Sequence, residues 1–161
     1  MRCYVGVHDH GNHGHDNLTS VAVSATLHCL TGCAIGEILG LVIATALGWG
    51  NAASIAIAVV LAFIFGYSFT LVPLLRGGIA VATAVGLALA SDTLSIGVME
   101  IVDNTIVLIW PGAMDAGLAD LLFWGSLVIA LAIAFVAAFP VNRALIARGR
   151  GHAVVHAYHG H

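Results

Sequence analysis

Four apolar segments, each long enough to cross a lipid bilayer as an α-helix, constrain the fold of this 161-residue chain more than any other feature. The hydrocarbon core of a bilayer is about 30 Å thick and takes roughly 20 apolar residues in a helix. The segments are 21–49, 52–75, 79–110 and 118–139. Transmembrane barrel strands are excluded, because such strands have only about 9–11 residues of alternating polarity. The sequence therefore predicts an all-α integral membrane protein.

The composition supports a membrane protein and excludes several other classes. Hydrophobic residues make up 60% of the chain and charged residues only 8%, whereas about 25% of a typical soluble domain is charged. All five basic residues are arginine, which leaves no basic face for nucleic acid. The sequence also contains no glycine-rich phosphate-binding loop, so we expect no nucleotide. The lipid bilayer is the main expected partner, together with a second copy of the chain or another membrane subunit.

Short connections between the segments predict an up-down-up-down four-helix bundle in which the first and third spans run parallel. Arg2, Arg76 and three arginines after the fourth span fall on one side, and Asp115 and Asp120 fall on the other. The positive-inside rule then predicts a multi-pass protein of the bacterial inner membrane with both termini in the cytoplasm. On this scheme, residues 1–19 form a histidine-rich tail, residues 20–140 the membrane domain and residues 141–161 a basic, then histidine-rich tail.

Two places in the membrane domain predict irregular helices. The third segment would measure roughly 48 Å as one helix, which exceeds the bilayer core, and we expect an irregularity near 91–95 or at 103–104. Pro140 and Asn142 predict a break after the fourth span, because proline removes a backbone donor and clashes with the preceding turn.

The first span carries polar and sulfur-containing side chains on one stripe. Cys29, Cys33 and Glu37 recur every fourth residue, and His28 lies nearby. Thiolate, imidazole and carboxylate are ligands for transition metals, and an acid inside the membrane is by default functional. We expect a metal site with five ligands, which are His28, Cys29, Cys33, Glu37 and Met99. Beside this stripe, Gly32, Gly36 and Gly40 predict close approach of another helix.

The third span is polar along one face. Within an arc of about 140° on a helical projection lie six residues: Asp92, Thr93, Met99, Glu100, Asp103 and Asn104. Acidic side chains are costly against lipid, so this face should point into the bundle towards the first span. We assign charge balance or proton relay to four residues, Asp92, Glu100, Asp103 and Asn104. The alternative for Asp103 and Asn104 is that they only mark the membrane interface.

Eight of the nine histidines lie in the terminal tails. Such tracts bind transition metals through neutral imidazole, and cytoplasmic tails would capture or deliver ions. The predicted peripheral ligands are His8, His10, His13, His15, His152, His156, His159 and His161. A solvated tail without function is the alternative.

Together these patterns favour a protein that binds and translocates Cu(I) or Zn(II), rather than an enzyme. One alternative is a membrane thiol oxidoreductase that uses Cys29 and Cys33, although cysteines four residues apart in a continuous helix close a disulfide with difficulty. Another is an accessory or assembly subunit of a membrane complex, in which the glycines bind a partner helix.

Three motifs carry a resemblance to a known family. They are HCLTGCAIGE in the first span, MEIVDN in the third and FPVNRALIARGRGHAVVH after the fourth. From about Ser24 to His156 the chain resembles a bacterial family of small multispan membrane proteins defined only as a domain of unknown function. The resemblance implies a location in the inner membrane and supplies no mechanism.

Overall fold

The structure, a computed structural model, describes the backbone of residues 11–148 and the side chains of residues 18–148. Within this part of the chain there are four long α-helices, one short 3₁₀ turn at Ala113–Asp115 and no strand. The helices are α1 (Gly11–Ala46), α2 (Asn51–Arg76), α3 (Val81–Ile109) and α4 (Leu121–Ala147). Each is long and apolar enough to span a membrane. The predicted all-α, four-helix membrane bundle is confirmed.

Helix α3 is continuous, so the irregularity expected at 91–95 or 103–104 is wrong. Its polar side chains bond to the helix itself: Thr93 Oγ1 donates to the Leu89 carbonyl at 2.7 Å, and Asn104 Nδ2 donates to the Glu100 carbonyl at 2.9 Å. Such bonds satisfy polar side chains without breaking the ladder. The helix still measures about 43 Å at 1.5 Å per residue, so it must tilt or protrude.

Helix α4 continues through Pro140, so the break predicted there is wrong too. A membrane helix tolerates an internal proline when neighbouring groups support the turn. Here Asn142 Nδ2 donates a 2.9 Å hydrogen bond to Thr26 Oγ1 of α1, and both residues are buried. This contact holds the turn after Pro140 against the bundle. At the other end of the chain, α1 begins at Gly11, inside the segment expected to be a tail.

Close backbone contact joins α1 to α2. A Cβ added to Gly32 would lie 2.7 Å from the Gly66 nitrogen, and one added to Gly40 would lie 2.6 Å from the Ala58 Cα. A Cβ on Gly36 would overlap the backbone of Ala62. Small residues on both helices therefore bring the two backbones together along slightly more than two turns.

The four helices form two closely packed pairs. Helix α1 packs most extensively on α2, and α3 on α4, whereas the contact between α1 and α3 is smaller. We call the side with the α1–α2 and α3–α4 connections the Trp49 side, and the side with the α2–α3 connection the Arg76 side. The small α1–α3 contact is where the predicted metal ligands and relay residues of the membrane domain lie.

Candidate intramembrane polar site

Buried and half-buried polar side chains follow one another along the α1–α3 contact through most of its depth. We call this set the polar column. It consists of His28, Cys29, Cys33 and Glu37 from α1 and Asp92, Ser95, Glu100 and Asp103 from α3. The members recur at three- to five-residue intervals on each helix, apart from the neighbours His28 and Cys29, which keeps them on one face. Because α1 and α3 are parallel, the column rises in step on both helices from the Arg76 side to the Trp49 side.

The level nearest the Arg76 side surrounds Asp92, which is fully buried. Ser91 Oγ donates to Asp92 Oδ1 at 2.7 Å, and Thr70 of α2 lies beside the same carboxyl. His28 is within electrostatic reach of Asp92, and its ring meets Phe69 edge to face at a centroid distance of 5.4 Å. This level contains hydroxyl, carboxyl and imidazole groups.

The middle level contains sulfur. Cys29 and Cys33 are free thiols, each 1% exposed, and they belong to the same buried cluster as Met99 of α3, which is 0% exposed. We call these three residues the sulfur cluster. Cys29 lies beside Ser95, and Cys33 lies beside the carboxyl of Glu100. Soft ligands and one acid are thus close together in an otherwise apolar layer.

The level nearest the Trp49 side contains carboxyl groups. Glu37 of α1 faces Asp103 of α3. Both carboxyl oxygens of Glu37 and Oδ1 of Asp103 are buried, and apart from each other's carboxyl group, which lies within hydrogen-bond reach, they have no hydrogen-bond partner among the described residues. Asn104 Nδ2 donates to Oε2 of neighbouring Glu100 at 3.3 Å, and the Cys33 thiol of the middle level is the other side-chain partner of this carboxyl. These acceptors are suited to a positively charged species.

A cavity of about 390 Å³ begins at this level. It extends from Glu37 and Asp103 past Asn104 to the connecting loops, where Trp49 and Gly117 line it. We call this cavity the vestibule. Asp115 is its third acidic lining residue, and no lining residue is basic.

The five predicted metal ligands are distributed over the three levels. The structure brings Cys29, Cys33 and Met99 into one cluster, while His28 lies at the level of Asp92 and Glu37 at the level of Asp103. Among residues 18–148, no group of three or more histidine, cysteine, aspartate or glutamate side chains is placed to hold a metal ion. The terminal histidines predicted as peripheral ligands lie outside the described side chains.

Sequence reasoning did not identify three buried hydroxyl groups, which are that of Ser95 in the column and those of Thr70 and Ser91 beside Asp92. A signal was present for Thr70, because it continues the four-residue spacing of Ala62 and Gly66 on the buried face of α2. Serine and threonine occur throughout membrane helices, where they bond to their own backbone. Their type alone therefore does not mark a site. Thr93, predicted as part of the polar face, is instead exposed and bonds to Tyr67 at 2.8 Å.

These features define a four-helix membrane protein with a thiol- and carboxyl-containing column at the centre of the bundle. The chain belongs to the family described as domain of unknown function DUF4396, whose profile matches residues 20–151. The expected membership of such a family is confirmed, and the whole polar column lies within the matched region. No curated protein and no solved structure matches the chain.

Proposed function

We propose that this protein binds a transition-metal cation within the membrane and moves it along the polar column, and that Cu(I) is the cation. One observation carries the proposal: the two thiols of α1 and the thioether of α3 share a single buried cluster beside an acid. Thiolate and thioether ligands select Cu(I) over harder ions. Zn(II) is the second candidate, because imidazole and carboxylate groups lie in the adjacent levels.

Charge supports a cation at this place. A positive ion is costly in an apolar layer unless negative groups compensate it. The carboxyl of Glu100 lies beside Cys33, and those of Asp92 and Glu37 lie in the levels on either side. A cation that leaves the sulfur cluster in either direction therefore meets another acid.

The arginines support an orientation for the protein. Arg76 and Arg143, near the ends of α2 and α4, lie on the Arg76 side, while Asp115 and Asp120 lie on the Trp49 side. The positive-inside rule assigns the Arg76 side to the cytoplasm. Both histidine-rich tails would then be cytoplasmic in a bacterial inner membrane, where they would exchange the cation with the column.

Metal analysis of the detergent-purified full chain tests the proposal. The protein is loaded with Cu(I) or Zn(II) under reducing conditions, desalted and analysed by plasma mass spectrometry. We expect wild type to bind one more equivalent of copper per chain than the double variant Cys29→Ser/Cys33→Ser. Both proteins keep the histidine tails, so any copper bound there is the same in both. Cys3→Ser is the matched control, because it removes the remaining cysteine, and it should hold as much copper as wild type.

A transport assay completes the test. Wild type in vesicles that contain a Cu(I)-sensitive dye should raise the dye signal faster than the double cysteine variant. Equal copper content of wild type and the double variant would refute the proposal. If the two proteins differ in copper content but raise the dye signal at equal rates, the protein binds copper without moving it, and translocation is refuted.

A further inference from the structure

We infer that the vestibule is a separate binding site for a hydrated hard divalent cation such as Mg²⁺ or Mn²⁺, with the carboxylates of Glu37 and Asp103 as its ligands. The site does not depend on the sulfur cluster or on the proposed copper function. Its ligands are oxygen atoms, and it lies nearer the Trp49 side.

The first argument is the state of the acceptors at the inner end of the vestibule. Asp103 is only 3% exposed and lines the cavity, and apart from the Glu37 carboxyl its buried Oδ1 has no hydrogen-bond partner among the described residues. The two oxygens of Glu37, which faces Asp103, are in the same condition. Two facing carboxyl groups can share one proton, and when both are ionised they repel each other. A divalent cation between them would satisfy the acceptors and neutralise both charges.

The second argument is the sign of the charge around the cavity. Its ionisable lining residues are Glu37, Asp103 and Asp115, and no basic side chain lines it. A cleft lined by one sign of charge with apolar walls concentrates ions of the opposite sign. The vestibule therefore attracts cations from the Trp49 side.

The third argument is size. At about 30 Å³ per water molecule, a cavity of about 390 Å³ has room for roughly a dozen waters. Mg²⁺ gives up its water reluctantly and is commonly held by one or two carboxylates while it keeps several waters. Around those waters the lining offers the side-chain oxygens of Thr45, Asn51, Ser54 and Ser126. Its one sulfur, the thioether of Met114, is a poor ligand for such ions.

Electron paramagnetic resonance of Mn²⁺ provides the test, because the signal of hydrated Mn²⁺ decreases when the ion binds. The detergent-purified full chain is titrated with Mn²⁺, and Mg²⁺ is added as competitor. We expect saturable binding to wild type that Mg²⁺ displaces, and a loss of affinity of at least about tenfold in Glu37→Gln and in Asp103→Asn. Asp120→Asn is the matched control, because Asp120 lies on the same side of the bundle but outside the vestibule. This variant should bind Mn²⁺ with the affinity of wild type.

The double variant Cys29→Ser/Cys33→Ser separates this site from the proposed copper site. It should bind Mn²⁺ as wild type does even though it has lost copper. Refutation of one proposed site therefore does not refute the other. No saturable binding to wild type, or equal binding to wild type and both carboxyl variants, would overturn the inference.

A second measurement uses wild type alone, in case the carboxyl variants do not fold. A ligand that binds only the folded state raises the melting temperature. MgCl₂ should raise the thermal midpoint of wild type in a saturable manner, compared with NaCl at equal ionic strength. Equal midpoints in the two salts would also overturn the inference.

Discussion

The Cys33 thiol of α1 lies beside the Glu100 carboxyl of α3 in the apolar interior of the bundle. The contact joins a soft metal ligand to a carboxyl group across the two parallel helices. Cys33 is 1% exposed and Glu100 5% exposed, so water screens a charge on this carboxyl little.

Replacement of Glu100 by glutamine should therefore weaken Cu(I) binding. The substitution keeps the shape of the side chain and removes the negative charge beside Cys33. Groups that support metal ligands typically change affinity by about 10- to 100-fold, and we expect a loss in this range. Competition with a Cu(I) chelator measures it. Asp120→Asn removes an acid far from the sulfur cluster and should have no effect, whereas equal affinities of wild type and Glu100→Gln would contradict the assigned role.

Gly36→Ala should destabilise the protein. The added Cβ would overlap the backbone of Ala62, and a backbone cannot move aside as the end of a side chain can. Overpacking of this kind costs about 1–3 kcal/mol. Gly97→Ala on α3 is the matched control, because its Cβ would meet no atom within 4 Å. Thermal unfolding in detergent should show a lower midpoint for Gly36→Ala and an unchanged or higher one for Gly97→Ala, and equal midpoints would argue against close α1–α2 contact.

The hydrogen bond between Asn142 and Thr26 should stabilise the bundle modestly. Hydrogen bonds between membrane helices contribute about 0.6 kcal/mol on average and up to about 1.7 kcal/mol. A double-mutant cycle with Asn142→Leu and Thr26→Val measures the coupling. We expect a value in this range, because both residues are buried and the bond is 2.9 Å long. Additive effects of the two substitutions would show that the bond contributes nothing.

The orientation proposed from the arginines can be checked by labelling cysteines that are introduced one at a time. In a Cys3→Ser background, Cys29 and Cys33 are buried and should not react with a membrane-impermeant maleimide. We expect Ala119→Cys, in an exposed loop on the Trp49 side, to react in intact cells from which any outer membrane has been removed. Gly77→Cys, exposed on the Arg76 side, should react only after the cells are opened. The opposite pattern would reverse the orientation.

The fold could be predicted from the sequence because the lengths of the apolar segments leave few alternatives. The ends of the helices could not be predicted in the same way, because they depend on tertiary contacts. One such contact is that of Asn142 with Thr26, which keeps α4 helical beyond Pro140. Helical spacing placed Cys29, Cys33 and Glu37 on one stripe. It could not show that the two cysteines lie at the level of Met99 and Glu37 at the level of Asp103, because the relative height of two helices is set by packing.

The vestibule was also beyond prediction from the sequence. It is formed by residues from all four helices and both connections on the Trp49 side, from Glu37 to Leu127. No local pattern connects such distant residues. Only the acids at its inner end, Glu37 and Asp103, were recognised as unusual, because a carboxyl group inside a membrane helix is rare.

The close backbone contact between α1 and α2 has a consequence for motion. Gly32, Gly36 and Gly40 hold the two helices together along slightly more than two turns, and α3 and α4 form the other extensive pair. Each pair is thus suited to move as a rigid body. The surface between the pairs contains the smaller α1–α3 contact, and the polar column follows it. A rocking of one pair against the other would widen the column at one end and narrow it at the other, without breaking the contact that the glycines make.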